Sequence, residues 1–163
     1  MSKDHVIYKG FLVDANAVND GLDGHLNFDD LRRQYGRGYC TKHLERELLG
    51  TKDATRRDQL MAFYSGLELE AVDSATAAAM TASPDIAKVI WEDVNTIKAG
   101  VIKKCKKPRR KRTIDNSHVD ALHAEAAKRL GLTLATGDAP LADTAEGHGV
   151  KVTRTRKRAR HGK

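Results

Sequence analysis

No run of about 20 apolar residues occurs anywhere in the 163-residue chain, so the sequence offers no helix built to span a bilayer. The opening residues, M-S-K-D-H, lack the charged-then-apolar pattern of a secretory leader. Cysteine is scarce. Cys40 and Cys105 are the only two, too few for a disulfide framework and not spaced as a Cys-x-x-Cys zinc pair, so both read as free thiols. These absences predict a soluble, cytoplasmic protein with no membrane partner. Aromatic residues are also few, with one Trp, four Tyr and three Phe, which leaves little stacking surface for single-stranded bases. There is no G-x-x-x-x-G-K, so Gly36-Arg37-Gly38 is not a phosphate loop. With 40% hydrophobic residues, the chain can still build one domain with a real core.

Acid is missing from two segments that are dense in base. Lys103 to Arg112, K-K-C-K-K-P-R-R-K-R, holds eight Lys or Arg in ten residues, and Lys151 to Lys163 holds seven in thirteen. The rest of the chain keeps 14 basic residues against all 22 acids, a net of −8 within a total of +7. Two positive arms on an acidic body suit a polyanion gripped through its phosphates, which makes nucleic acid the expected partner. Such runs also serve as solvated tails, nuclear-localisation-like signals or ribosome-binding arms. The residues predicted to contact nucleic acid are Lys103, Lys104, Lys106, Lys107, Arg109, Arg110, Lys111 and Arg112 in the first arm, and Arg154, Arg156, Lys157 and Arg158 in the second.

The pattern of apolar residues predicts alternating helices and strands. Val6 to Val13 reads as a buried strand that ends at Asp14. Helices are expected over 28–35 and 41–49, with Gly36 and Gly38 as punctuation between them, then over 54–64 and 74–80. Leu67 to Val72 reads as a half-buried strand. Ser83 and Pro84 open a longer helix that should run to about Lys98 and stop at Gly100, followed by the basic stretch as an exposed connection. Ser117 is a candidate cap for a helix with an apolar stripe of Val119, Leu122, Ala126 and Leu130, closed by Gly131. L-T-L-A-T is a short strand ending at Thr136-Gly137-Asp138. A helix near 140–146 and a strand over 149–153 complete the chain. Strands and helices in this alternation predict an α/β fold with a mainly parallel, twisted sheet covered on both faces. The domain is expected over 1–152 with the basic insertion at about 103–112, and the basic tail over 153–163.

Four acids stand where such a fold could gather them. Asp14 and Asp138 each lie just past a strand end, Asp120 sits on the helix before the second of those strands, and Glu47 can reach in from another helix. Carboxylates held close repel one another, and a hard dication such as Mg²⁺ or Mn²⁺ is what stabilises them. Each acid also has a plainer reading. Asp14 suits a turn, Asp138 a turn or helix cap, Glu47 a solvated helix face, and Asp120 stands three residues after Ser117 as in a capping arrangement. His118 and His123, five residues apart, do not share a helical face as two zinc ligands would.

The segments L-V-D-A-N-A-V around Asp14, E-L-L-G from Glu47, V-D-A-L-H-A-E-A-A from Val119 and L-T-L-A-T-G-D ending at Asp138 together resemble the PIN-domain metal-dependent ribonucleases, which include the toxin components of bacterial toxin–antitoxin pairs. The resemblance implies a three-layer α/β/α fold and a Mg²⁺ or Mn²⁺ site made by Asp14, Glu47, Asp120 and Asp138. It implies phosphodiester hydrolysis of RNA, with Asn16 and Thr136 orienting the acids and water. Glu45 competes with Glu47, while Asp115 and Asp143 lie near enough to serve as reserve ligands. An antitoxin partner and a dimer are further implications. Branched or flapped DNA is an alternative substrate, and a non-catalytic basic nucleic-acid-binding or assembly module is the alternative from another class.

Overall fold

Phe11, Leu12 and Val13 alternate between two apolar environments, and that alternation positions the whole molecule. In the computed structural model, which describes residues 8–105 and 114–155, they belong to β1 (Gly10–Val13), whose four residues are all buried. Phe11 and Val13 pack into one core together with Cys40 and Ala135, while Leu12 packs into the other with Tyr39 and Leu134. A strand buried on both faces is the signature of a parallel sheet between helical layers.

The described elements run β1, α1 (Ala15–Leu22), α2 (Phe28–Tyr35), β2 (Arg37–Cys40), α3 (Lys42–Leu49), α4 (Ala54–Gly66), β3 (Glu70–Ala71), α5 (Ala75–Thr81), α6 (Pro84–Lys104), α7 (Ile114–Leu130), β4 (Thr133–Thr136), α8 (Ala139–Gly147) and β5 (Val152–Arg154). The five strands form one sheet in the order β3-β2-β1-β4-β5, every pair parallel. Leu12 sits opposite Tyr39 on one side and Leu134 on the other. Helices α1 to α4 supply the core on one face and α5 to α8 the core on the other, giving the three-layer α/β/α architecture. Among the described residues no helix is long and apolar enough to cross a membrane.

Local chemistry explains most boundaries. Asn27 caps α2 by accepting from the backbone of Asp29 and Asp30. In α6, Ser83 caps and Pro84 occupies the first turn, while Ile90, Val94, Ile97 and Val101 form one buried stripe at helical spacing. Gly131 takes φ 71°, the left-handed turn that ends α7.

Several expected boundaries are corrected. Arg37 to Cys40 is strand β2, not punctuation; its Gly38 has Leu69 and Phe11 packed where a side chain would be. The first strand starts at Gly10; Val6 and Ile7 lie outside the described residues. The strand expected over 67–72 shrinks to Glu70–Ala71, both exposed, and the last is Val152–Arg154. Gly100 lies inside α6, which continues to Lys104, because a Cβ there would come 2.6 Å from Thr144 Cγ2 of α8. That glycine serves helix packing, so Lys103 and Lys104 are helical instead of part of a connection. Ser117 is buried inside α7, which begins at Ile114, so it caps nothing and the capping reading of Asp120 falls away. Thr153 and Arg154 belong to β5.

Candidate active site

In an open parallel sheet the place to look is beyond the carboxyl ends of the strands, where successive connections leave in opposite directions. Here that place is between β1 and β4: the chain goes from β1 outward to β2 and β3, then returns to β4 on the other side. Asp14 directly follows β1, and Asp138 follows β4 by one glycine.

Asp14 is 1% exposed and caps α1, its Oδ1 accepting from the Ala17 N–H at 2.9 Å. Its Oδ2 accepts from the Thr136 hydroxyl, and the same Thr136 oxygen accepts the Asp138 N–H at 3.1 Å. Asp138, also buried, caps α8 by accepting from Leu141 N–H at 3.3 Å. The turn and cap readings of these two acids therefore hold, and they hold at the sheet edge. Burial lifts the Asp14 pKa to about 6 against the two hydrogen bonds it accepts and the nearby His123; the Glu47 charge adds to the rise. Helices α1 and α8 both begin here, so their positive N-terminal ends face the acids.

Glu47 arrives from α3. Its Oε1 lies 2.5 Å from His123 Nε2, and its side chain is 27% exposed. His123, fully buried on α7, uses its other nitrogen on Thr41 Oγ1 at 3.2 Å. Burial works against the charged ring, yet the Glu47 hydrogen bond and the charges of Glu47, Asp14 and Asp120 outweigh it and leave the His123 pKa above its ordinary value. Asp120, also buried, lies three residues before His123 on α7, so the two share a helical face. His43 is pushed the other way, first by burial and then by the charges of His123 and Arg46. Asp14, Glu47 and Asp120 thus bear on one histidine from three different elements.

Other predicted residues fall elsewhere. Glu45 is exposed and acts on Cys40 and Tyr64, which separates it from Glu47. Asn16 is exposed on the first turn of α1, whereas Thr136 is buried between two acids. Asp143 forms an ion pair with Arg154, which Glu146 shares. The side chain of Asp115 lies outside what the structure describes, as do Lys106, Lys107, Arg109, Arg110, Lys111, Arg112, Arg156, Lys157 and Arg158. Lys103 and Lys104 are exposed on the last turn of α6.

Two features go beyond the pattern of the sequence. His123 and His118 do not share a face as zinc ligands would, whereas the i, i+3 spacing of His123 from Asp120 is the local signal for its place here. Asp20, 1% exposed, accepts from the Thr155 hydroxyl under Gly137, where a Cβ would lie 2.5 Å from its Oδ2. An open groove of about 1300 Å³ runs alongside, lined in part by His25, Asn27, Gln34, Asp138 and Arg154.

Among the described residues no three His, Cys, Asp or Glu side chains stand ready-made around a common metal position. The donor set nonetheless fits a hard dication in kind. It is all carboxylate oxygen, and Asp14 is a buried acid whose ionised form burial disfavours.

No model of a known protein family matches the chain, and no curated protein matches it. Solved structures do. The crystal structure of PAE2754 from Pyrobaculum aerophilum is 18% identical with a TM-score of 0.46, over 88% of this chain and 89% of that one. A member of the VapBC family of toxin-antitoxin systems, VapBC-5 from Mycobacterium tuberculosis, is 18% identical with a TM-score of 0.48, over 90% and 99%. FitAcB from Neisseria gonorrhoeae is 16% identical with a TM-score of 0.40, over 89% and 97%.

Proposed function

We propose that the chain is a metal-dependent endoribonuclease. The observation that carries this reading is the meeting of Asp14, Glu47 and Asp120 about the buried His123, beside Asp138, at the edge where strand order reverses. The residue pattern read in the sequence supports the same chemistry. Asp14, Glu47, Asp120 and Asp138 would hold Mg²⁺ or Mn²⁺. Such an ion, when bound, orients and activates water and neutralises charge on phosphate oxygens.

The chain's own contributions follow from its contacts. Thr136 fixes the Asp14 carboxylate and the backbone of Asp138 through one hydroxyl. His123 holds Glu47. The N-termini of α1 and α8 add partial positive charge where phosphate arrives. The two base-rich arms, 103–112 and 151–163, grip the RNA backbone through its phosphates without reading bases. An antitoxin-type protein partner and a dimeric assembly belong to the same reading.

The test is cleavage of a mixed panel of labelled RNAs and DNAs with Mn²⁺ or Mg²⁺, beside EDTA and the Asp14→Asn and Asp120→Asn variants. RNA cleavage that needs metal and is lost in both variants supports the proposal. Cleavage confined to branched or flapped DNA moves the substrate assignment. Binding without cleavage under every metal condition, with both substitutions silent, favours a non-catalytic module.

A further inference from the structure

Thr41 occupies the N-cap position of α3, where a threonine hydroxyl ordinarily bonds a backbone N–H of the first turn. Here it makes no such bond. Its hydroxyl pairs instead with His123 Nδ1 at 3.2 Å, and His123 Nε2 meets Glu47 Oε1 at 2.5 Å. The chain Thr41–His123–Glu47 joins residues 82 and 76 positions apart in sequence and links the tip of β2, helix α7 and helix α3. Thr41 and His123 are buried, while Glu47 is partly exposed.

We propose that His123 is a positioning residue that holds the Glu47 carboxylate toward the cation site, with Thr41 fixing the ring. This rests on the nuclease reading above. Glu47 has a long, rotamer-rich side chain on an eight-residue helix between exposed Arg46 and buried Leu48. Left alone, it would spend its time in many orientations. A ring locked at both nitrogens removes that freedom and still leaves the second carboxylate oxygen for a ligand. A histidine that merely filled the core would gain nothing from taking a cap away from α3. Asp120, on the same face of α7, is placed by the same helix, so one element delivers an acid and orients another.

The experiment is calorimetric titration of Mn²⁺ into metal-free protein, so the readout is affinity and not turnover. The wild-type chain is compared with His123→Leu, His123→Gln, Thr41→Val, Glu47→Gln and the double variant His123→Leu/Glu47→Gln, with melting curves for each. We expect His123→Leu to weaken Mn²⁺ binding about tenfold or more. Thr41→Val should weaken it less, His123→Gln should restore much of it through its amide donor, and His123→Leu should add little once Glu47 is gone. Should His123→Leu fail to fold, Thr41→Val and His123→Gln carry the comparison. Lowered melting with unchanged Mn²⁺ affinity in Thr41→Val and His123→Leu, or additivity in the double variant, overturns the positioning role alone. Absence of Mn²⁺ binding in the wild type overturns that role together with the nuclease reading.

Discussion

The hydroxyl of Thr136 donates to the carboxylate of Asp14 across 122 residues of sequence, pinning the tip of β4 to the tip of β1. Because that oxygen also accepts the Asp138 N–H, the two acids are set by a single side chain. Replacing the hydroxyl tests the arrangement directly. Thr136→Val leaves the shape but strips a buried carboxylate and a buried N–H of their partner, which costs about 1–3 kcal/mol. Thr136→Ser keeps the bond and should recover much of the loss in urea denaturation.

Asp14 makes stability depend on pH with a definite sign. Its pKa rises from 3.8 to about 6 on folding, so between those values the folded chain holds the proton that the unfolded chain releases. Stability from this group is present below about pH 4 and lost as pH climbs through 6, a change of about 3 kcal/mol. In chelator, Asp14→Asn should therefore be the more stable chain at pH 7.5 and lose that advantage at pH 4. Added Mn²⁺ should stabilise the wild type and not the variant.

Gly100 gives a prediction whose sign separates packing from propensity. On an open helix, Gly→Ala stabilises by about 1 kcal/mol. Here the new Cβ would meet Thr144 Cγ2 at 2.6 Å, on a stiff β-branched side chain, so Gly100→Ala should destabilise by about 1–3 kcal/mol. Thr144→Ala clears the methyl and removes a buried hydroxyl without a hydrogen-bond partner, so the double variant should recover most of the loss. Thermal melts of the two singles and the double decide it.

Glu125 is 1% exposed and holds the guanidinium of Arg129 at 2.9 Å. Burial raises its pKa and Arg129 opposes the rise. Arg129→Met should cost about 3 kcal/mol at pH 8, because an unpaired charge is left inside. The loss should shrink as pH falls and the carboxyl takes up a proton. Denaturation at pH 5 and pH 8 gives the comparison.

Removing residues 156–163 takes away five Lys or Arg. If all five meet phosphates, the slope of log affinity for single-stranded RNA against log salt should flatten by about 3.5. Filter binding across a salt series reads this without any need for cleavage.

The C-terminal unit was legible in the sequence because its signals are local. Gly131 had to turn the chain, L-T-L-A-T had the length and composition of a buried strand, and Asp138 had its cap position beside Pro140. Strand β2 was not, since R-G-Y-C is short, glycine-bearing and held in place by Leu69 and Phe11 from elsewhere. Gly100 looked like a stop only because the helix that fits against it comes some forty residues later. Of the site, the strand-end acids could be anticipated from topology alone. For His123 the spacing from Asp120 was the one local signal, and its pairing with Thr41 and Glu47, 82 and 76 residues earlier, left none.

An all-parallel sheet whose first strand is central has a consequence for how the protein comes into being. β1 must wait for β4, which is made more than a hundred residues later, before its second neighbour exists. Translation delivers Asp14 and Glu47 well before His123, Thr136 and Asp138. Such late, long-range pairing is slow to form. A partly synthesised chain therefore carries Asp14 and Glu47 without the side chains that align them.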